Sequence, residues 1–249
     1  MITIKTDSEA ELMRYAGKIT ARALIEVSKH IKPGITTLEL NKIAEDTIRS
    51  NGCTPAFLNY NGYPASICTS INEQVIHGIP STRRLKEGDI LSIDCGAIYK
   101  GYYGDAANTY PVGKISAEAQ RLIDVTRQSL HEAMVYAREG CRLGDISSAV
   151  QKYAEANGFS VVRDFVGHGI GTKMHEDPSV PNYGTAGRGI VLRENMTLAV
   201  EPMINMGTYE VEVLDDEWTA VTADKKISAH YEHTLLIKKD GCEILTIDD

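Results

Sequence analysis

Residues 89–112 read DILSIDCGAIYKGYYGDAANTYPV, and both halves of this stretch alternate or run apolar as β-strands do. Asp94 and Asp105 lie symmetrically about position 99.5, so a hairpin that turns at Tyr99-Lys100 would place the two carboxylates directly opposite each other. Like charges in that arrangement destabilise a sheet, and we expect a positive group to neutralise them. The alternative is the solvated outer face of an antiparallel sheet, where such a pair costs little.

Three more candidate ligands follow in the chain. Glu201 lies in LAVEPMI (198–204) and Glu232 in AHYEHTLLI (229–237), two apolar, strand-like runs in which a buried carboxylate is costly unless it is paired or bound to a cation. His168 lies in GHGIG (167–171), whose glycines leave the imidazole unshielded. Four carboxylates and one imidazole that converge would hold two divalent ions. A donor set without thiolate favours Mn²⁺ or Fe²⁺; Co²⁺ is a plausible substitute, and Zn²⁺ is less favoured.

The chain before and after these residues predicts helices and strands in alternation. Capping boxes at Ser8-x-x-Glu11 and Thr36-x-x-Glu39 begin two helices, which end at Lys32-Pro33-Gly34 and Asn51-Gly52. Helical spacing returns over 116–138 and 145–157. Strand-like segments follow near 160–166, 196–204, 218–223 and 228–238.

An internal repeat indicates two related α+β halves. Gly34, Glu39, Leu40, Asn51 and Gly52 match, at an offset of 106 residues, Gly140, Asp145, Ile146, Asn157 and Gly158. Each copy is followed by His-Gly-Ile and then by two acidic residues on strands. The match predicts that each half delivers one acidic pair to a common site.

Composition excludes several classes of protein. The 249 residues include 26 Lys+Arg against 34 Asp+Glu, a balance that argues against nucleic-acid binding as the main function. No apolar stretch approaches the roughly 18 residues of a membrane span, and the first residues do not resemble a signal peptide. Five widely spaced cysteines without a C-x-x-C pair indicate reduced thiols, and we expect a cytoplasmic protein.

The order Asp94, Asp105, His168, Glu201, Glu232, within DCGA, GYYGD, GHGIG, EPM and YEHT, resembles the type I methionine aminopeptidases, in their short bacterial form. The resemblance covers nearly the whole chain. It implies the pita-bread fold, in which two pseudo-symmetric α+β halves surround a curved antiparallel sheet. We expect a single catalytic domain over 1–249, with halves of approximately 8–112 and 116–245.

The resemblance also implies a role for each residue of the site. Asp105 and Glu232 bridge two metal ions, Asp94 chelates one, and His168 with Glu201 completes the other. A metal-bridging water attacks the first peptide bond, Glu201 acts as general base, His175 stabilises the oxyanion, and His77 contacts the amide beyond the scissile bond. The methionine side chain lies among Tyr60, Tyr63, Cys68, His77 and Trp218. The implied reaction is removal of the N-terminal methionine when the next residue is small.

Three positions depart from the commoner pattern of the family. Phe57 stands where many bacterial members have cysteine, Met174 where an aromatic residue usually precedes His175, and His230 where glutamine is frequent. The first two put the shape of the pocket in question. His230 either ligates a metal or packs behind the ligands.

Three other kinds of protein share parts of this pattern. Prolidases and proline-specific aminopeptidases usually carry an additional N-terminal domain, and type II methionine aminopeptidases insert a helical subdomain where this chain has 31 positions, between Glu201 and Glu232. A non-catalytic binding module on the same fold would not require all five ligands. The family implies nascent chains as substrates and transient ribosome contact, for which Arg83-Arg84 and Lys86 form only a weakly basic loop. We expect a monomer.

Overall fold

The computed structural model describes residues 2–248 and has an α+β architecture. Its helices are α1 (Asp7–Ser28), α2 (Thr37–Ser50), α3 (Ala117–Met134) and α4 (Leu143–Ala156), with a short 3-10 helix at Tyr60–Gly62. Its strands are β1 (Thr54–Pro55), β2 (Ile67–Ile71), β3 (Gln74–Ile76), β4 (Ile90–Tyr99), β5 (Tyr102–Pro111), β6 (Ser160–Val161), β7 (Gly167–Gly169), β8 (Glu176–Val180), β9 (Thr197–Val200), β10 (Met203–Asn205), β11 (Val211–Val213), β12 (Ala220–Thr222), β13 (Ser228–His230), β14 (Glu232–Ile237) and β15 (Cys242–Ile244).

Nine strands form the main sheet, in the order β1-β4-β5-β14-β9-β7-β8, with β2 paired to β4 and β15 to β14. Two three-stranded sheets, β13-β10-β6 and β11-β12-β3, flank it. Within residues 2–248 the paired strands run antiparallel, which confirms the predicted class of sheet. Among the same residues, none of the helices is long and apolar enough to cross a bilayer.

Two helix pairs cover the main sheet and bury its apolar face. Ile19 of α1 and Leu40 of α2 pack in one core cluster with Ile93 of β4. Leu122 of α3 packs in another with Leu235 of β14. Burial of these side chains holds the long strands against the helices. The opposite face of the sheet does not contact these helices and can carry polar groups.

The hairpin prediction is wrong by one residue. Tyr99 pairs with Tyr102 across a two-residue turn at Lys100-Gly101, where φ is 47° and 84°. This turn needs positive φ at both positions, which Gly101 adopts without strain and which Tyr99 would not. Asp94 therefore lies opposite Ala107 and Asp105 opposite Gly96, and the two acids are diagonal neighbours on one face. That face is buried, so the alternative of a solvated outer face is also wrong.

Several predicted boundaries shift. The first capping box is Thr6 with Glu9, since the Glu9 side chain accepts from the Thr6 backbone N–H at 2.7 Å and Thr6 Oγ1 accepts from the Glu9 N–H. The overlapping Ser8-x-x-Glu11 pattern has the same spacing, so sequence could not separate the two. Helix α1 ends at Ser28, before Pro33, while α2 begins with its predicted box at Thr36.

The bounds of the later elements also differ from the prediction. Helix α3 ends at Met134, short of the predicted 138, and α4 begins at Leu143, ahead of the predicted 145. Only two residues of 160–166 form a strand, and the runs 196–204 and 228–238 are each interrupted, at Glu201-Pro202 and at Tyr231. Proline has no N–H to donate to a ladder, so the chain leaves the main sheet at Pro202 and continues in the small one.

Residues that match in the repeat have the same local contacts. Glu39 accepts from the Thr36 N–H at 2.8 Å, and Asp145 accepts from the Arg142 N–H at 2.7 Å, in each case at the start of the second helix of a pair. The Asn51 amide donates to the carbonyl of Thr47, and the Asn157 amide to the carbonyl of Tyr153. These contacts agree with two related halves, and the limits of about 8–112 and 116–245 stay a prediction.

Candidate active site

Five neighbouring strands each bring one predicted ligand to the site. Asp94 lies on β4, Asp105 on β5, Glu232 at the start of β14 and His168 on β7, while Glu201 directly follows β9. These strands are consecutive in the sheet, in the order β4-β5-β14-β9-β7. Since β14 pairs with β5 at Glu232 and Ala107, the ligands of the two halves meet across this pair.

The breaks in the late strands give the two glutamates their positions. Strand β9 ends at Val200, and the Glu201 carbonyl accepts from the amide of the buried Asn182 at 2.9 Å. The Tyr231 N–H donates to the Pro202 carbonyl, which ties the second break to the first. The side chains of Glu201 and Glu232 therefore lie next to each other, at the break in each strand.

The carboxylates of this cluster are buried without enough partners. Asp94 Oδ1, Asp105 Oδ1 and Glu232 Oε1 find no hydrogen-bond donor within residues 2–248. Burial and mutual repulsion raise the pKa of Asp94, Glu201 and Glu232 well above their ordinary values. Burial raises the pKa of Asp105 to about 7. A bound cation would remove this penalty, because it neutralises the acids and satisfies their free lone pairs.

His168 presents a free nitrogen to the acids. Burial lowers its pKa to about 4, so the ring is neutral near pH 7. Its Nδ1 lies 2.9 Å from the Gly169 carbonyl, and a proton there leaves Nε2 as an acceptor. Nε2 is 3.6 Å from Glu201 Oε1 and 3.9 Å from Asp105 Oδ2, too far for hydrogen bonds. The separations leave room for an ion between these groups.

His230 takes a similar position on the other side of Glu201. Its Nε2 is 3.8 Å from Glu201 Oε2 and has no hydrogen-bond partner in the described chain. Two sets of donors lie close enough to hold a cation: Asp105 with His168 and Glu232, and Glu201 with His230 and Glu232. Burial lowers the pKa of His230 to about 3, so it too offers a neutral nitrogen.

A cavity of about 190 Å³ opens over the acids. The predicted pocket residues all line it, together with Phe57, Met174, Asn61 and Ile76, of which the last two were not predicted. The Tyr63 and Trp218 rings meet edge to face at 5.0 Å, and Cys68 is buried beside them. The lining residues are Phe57, Tyr60, Asn61, Tyr63, Cys68, Ile76, His77, Asp94, Asp105, His168, Met174, His175, Glu201, Trp218 and Glu232.

Two further histidines, His77 and His175, line the cavity. His175 Nδ1 lies 2.8 Å from the Tyr60 hydroxyl, and its ring centroid is 4.2 Å from that of His168. His77 has a φ of 61° and packs edge to face on Phe165 at 5.5 Å. Burial lowers the pKa of His175 and lowers that of His77 to about 4. Both rings are therefore neutral N–H donors at neutral pH.

The known proteins that resemble this chain decide its family. The model of metallopeptidase family M24 matches residues 11–239. A methionine aminopeptidase of Clostridium perfringens is 55% identical over 247 residues, which make up 99% of each chain. The chain belongs to the methionine aminopeptidases of family M24. As a member of this family of metallopeptidases it is an enzyme that uses divalent metal ions, which excludes the non-catalytic alternative.

Other relatives of this M24 enzyme agree in length and in fold. Methionine aminopeptidase 1 of Bacillus subtilis is 51% identical over 246 residues, 99% of each chain. The crystal structure of the Rickettsia prowazekii methionine aminopeptidase has a TM-score of 0.98 at 47% identity. The match covers 99% of this chain and 100% of the Rickettsia chain. The prolidase of Pyrococcus furiosus has a TM-score of 0.80 at 23% identity, and this chain covers 66% of it, so that likeness shows the shared fold alone. These neighbours confirm the predicted pita-bread fold.

Proposed function

We propose that this enzyme removes the N-terminal methionine from peptides and nascent proteins whose second residue is small. The observation that carries the proposal is one cavity with two kinds of wall. Its floor holds the five ligands of the adjacent strands, and its side wall holds Tyr63, Cys68 and Trp218. An unbranched thioether fits an apolar pocket of this size, with the first peptide bond over the acids.

The order of the strands supports an assignment of the ligands to two divalent ions. Asp105 and Glu232 lie on the paired strands β5 and β14, where the two halves meet, and would bridge both ions. Asp94 on β4 would complete one site, and His168 with Glu201 the other. Oxygen-rich donors without thiolate favour Mn²⁺ or Fe²⁺, with Co²⁺ as a working substitute and Zn²⁺ less favoured.

The residues around the ions would share the steps of hydrolysis. Divalent ions supply the Lewis acidity that lets water react as a nucleophile near neutral pH. Glu201 takes up the proton of the attacking water and passes it to the leaving amine. His175 donates to the carbonyl oxygen as it becomes negative, and His77 contacts the amide beyond the scissile bond. Tyr60 orients His175 through the contact at Nδ1, which leaves Nε2 for the substrate.

A tripeptide assay tests this proposal directly. Met-Ala-Ser should release free methionine when Mn²⁺ or Co²⁺ is added, while Met-Arg-Ser should be cleaved far more slowly because its second side chain is large. Free methionine is quantified by chromatography, with chelator-treated enzyme as the control. If no divalent metal gives methionine release, the proposal is wrong.

His230 belongs to one of the two sets of donors that could hold a cation, but this assignment leaves it out of the ligand set. We expect His230→Gln to keep two bound ions per chain and most of the activity, because the four acids and His168 already supply the bridging and terminal donors. Metal content measured by mass spectrometry checks the first point. The control is His131→Gln, whose imidazole is exposed on α3. If His230→Gln loses one ion and His131→Gln loses none, His230 is a ligand.

The cellular setting is proposed from the substrate class. Nascent chains as substrates imply a cytoplasmic enzyme that contacts the ribosome transiently, and we propose that it acts as a monomer. The basic loop offers little to such a contact, since Arg84 donates to the Gly34 carbonyl at 2.6 Å and is partly engaged within the chain. Sedimentation with and without ribosomes would measure both the contact and the oligomeric state.

A further inference from the structure

Glu176 joins two segments that are far apart in sequence. Its Oε2 accepts from Lys5 Nζ at 2.8 Å and from the Thr3 hydroxyl at 2.7 Å. Its Oε1 accepts from the backbone N–H groups of Thr172 at 2.8 Å and Lys173 at 3.2 Å. One carboxylate therefore ties the N-terminal segment, residues 3–5, to the site loop, residues 171–175.

The Lys5–Glu176 pair is buried and closely fitted. The two side chains are only 4% and 8% exposed. A Cβ at Gly171 would lie 2.5 Å from Lys5 Cε and 2.7 Å from Glu176 Oε1, so a side chain at this position would push the Lys5 ammonium and the Glu176 carboxylate apart. Although burial opposes it, the hydrogen bonds from Lys5 and Thr3 lower the pKa of Glu176 to about 2. The carboxylate is charged throughout the neutral range.

We call the contacts of Glu176 with Thr3 and Lys5 the clamp. The two segments that the clamp joins are each fixed to the sheet. The Lys5 N–H donates to the Asn195 carbonyl at 2.8 Å, ahead of β9. The Gly171 carbonyl accepts from the Tyr103 N–H on β5 at 2.9 Å. Between these anchors, residues 171–175 form neither helix nor strand, so their conformation depends on side-chain contacts such as those of Glu176.

His175 is the last residue of that loop and directly precedes Glu176. The His175 side chain contacts the Tyr60 hydroxyl at the cavity. The His175 backbone continues directly into Glu176, which the clamp holds in place. We propose that Lys5 and Glu176 are positioning residues: the N-terminal segment holds the site loop so that the His175 imidazole stays directed at the cavity. The proposal rests on the proposed role of His175 as oxyanion donor.

Lys5→Met keeps the length and packing of the side chain but removes the charge and the donated hydrogen bonds. We expect kcat on Met-Ala-Ser to fall about 10- to 100-fold, since small displacements of a catalytic group have effects of this size. KM and the affinity for Mn²⁺ should change little. Lys29→Met, which breaks an exposed pair with Glu26, is the matched control and should keep full activity.

A double-mutant cycle separates positioning from general stability. In the His175→Ala background Lys5→Met should cost no further activity, because there is no imidazole left to position. Equal losses in both backgrounds, or no loss in either, would overturn the proposal. Should Lys5→Met fail to fold, Thr3→Val removes one hydrogen bond to the same oxygen and is subject to the same cycle.

A second readout does not depend on catalysis. The imidazole nitrogen NMR signals of His175 should move in Lys5→Met and stay in place in Lys29→Met. Failure of the wild-type enzyme to release methionine would refute the proposed function and leave this readout valid. Unchanged His175 signals in Lys5→Met would refute the positioning role whatever the activity.

Discussion

Asp105→Ala reduces methionine release to the rate without enzyme, as does Glu232→Ala. On the proposed assignment each of these carboxylates is shared by both ions, so its removal opens both sites at once. The shared position is what the resemblance to the family implies, and it agrees with the pairing of β5 and β14, where the ligands of the two halves meet. Turnover of Met-Ala-Ser and the number of ions bound per chain measure the effect.

The matched control for this prediction is Asp124→Ala. Asp124 is an exposed aspartate on α3 that does not line the cavity, so its removal should leave turnover and metal content unchanged. Asp105→Asn extends the test, because it keeps the shape of the side chain and removes the charge. Substantial turnover in Asp105→Ala or in Glu232→Ala would contradict a centre with two bridged ions.

His175→Ala lowers kcat by about 10²–10³-fold, the effect of losing one oxyanion donor. Both ions should remain, since the side chain contacts Tyr60 and belongs to neither set of donors that could hold a cation. Steady-state kinetics give kcat, and metal analysis of the same preparation gives occupancy. Tyr60→Phe should have a smaller effect, because it removes only the partner of Nδ1.

Metal analysis is decisive for His175. If His175→Ala loses an ion along with its activity, the imidazole is a ligand and its assignment as donor is wrong. His131→Ala, on the exposed side of α3, removes an imidazole that touches nothing in the site and serves as the control. It should match the wild-type enzyme in both measurements.

Local sequence predicted much of this fold. The capping box at Thr36, the two long strands and the acids set in apolar runs follow from period and composition over a few residues. The hairpin register did not, because two turn positions with the same strand pattern differ only in where positive φ is tolerated, and Gly101 decides that. The first capping box failed for a similar reason, since Thr6 and Ser8 offer the same spacing.

The pairing between halves could not be predicted in this way. That β14 lies beside β5, over a hundred residues away, depends on how the helices pack and not on any local period. Lys5 and Glu176 belong to no sequence motif, so no local pattern predicts the clamp. Ile76 and Asn61 also line the cavity without belonging to any motif. Each is adjacent in sequence to a predicted residue, Ile76 to His77 and Asn61 to Tyr60.

The pairing of β5 with β14 also sets the timing of the enzyme's own maturation. During translation, a chain that has emerged only to residue 231 already contains Asp94, Asp105, His168 and Glu201 but lacks Glu232, which on the proposed assignment completes both metal sites. Strand β15 then lines the outer part of β14, and Arg14 of α1 pairs with Glu243 of β15 at 2.5 Å. Hydrolytic competence is therefore withheld until β14 has been synthesised and has paired with β5.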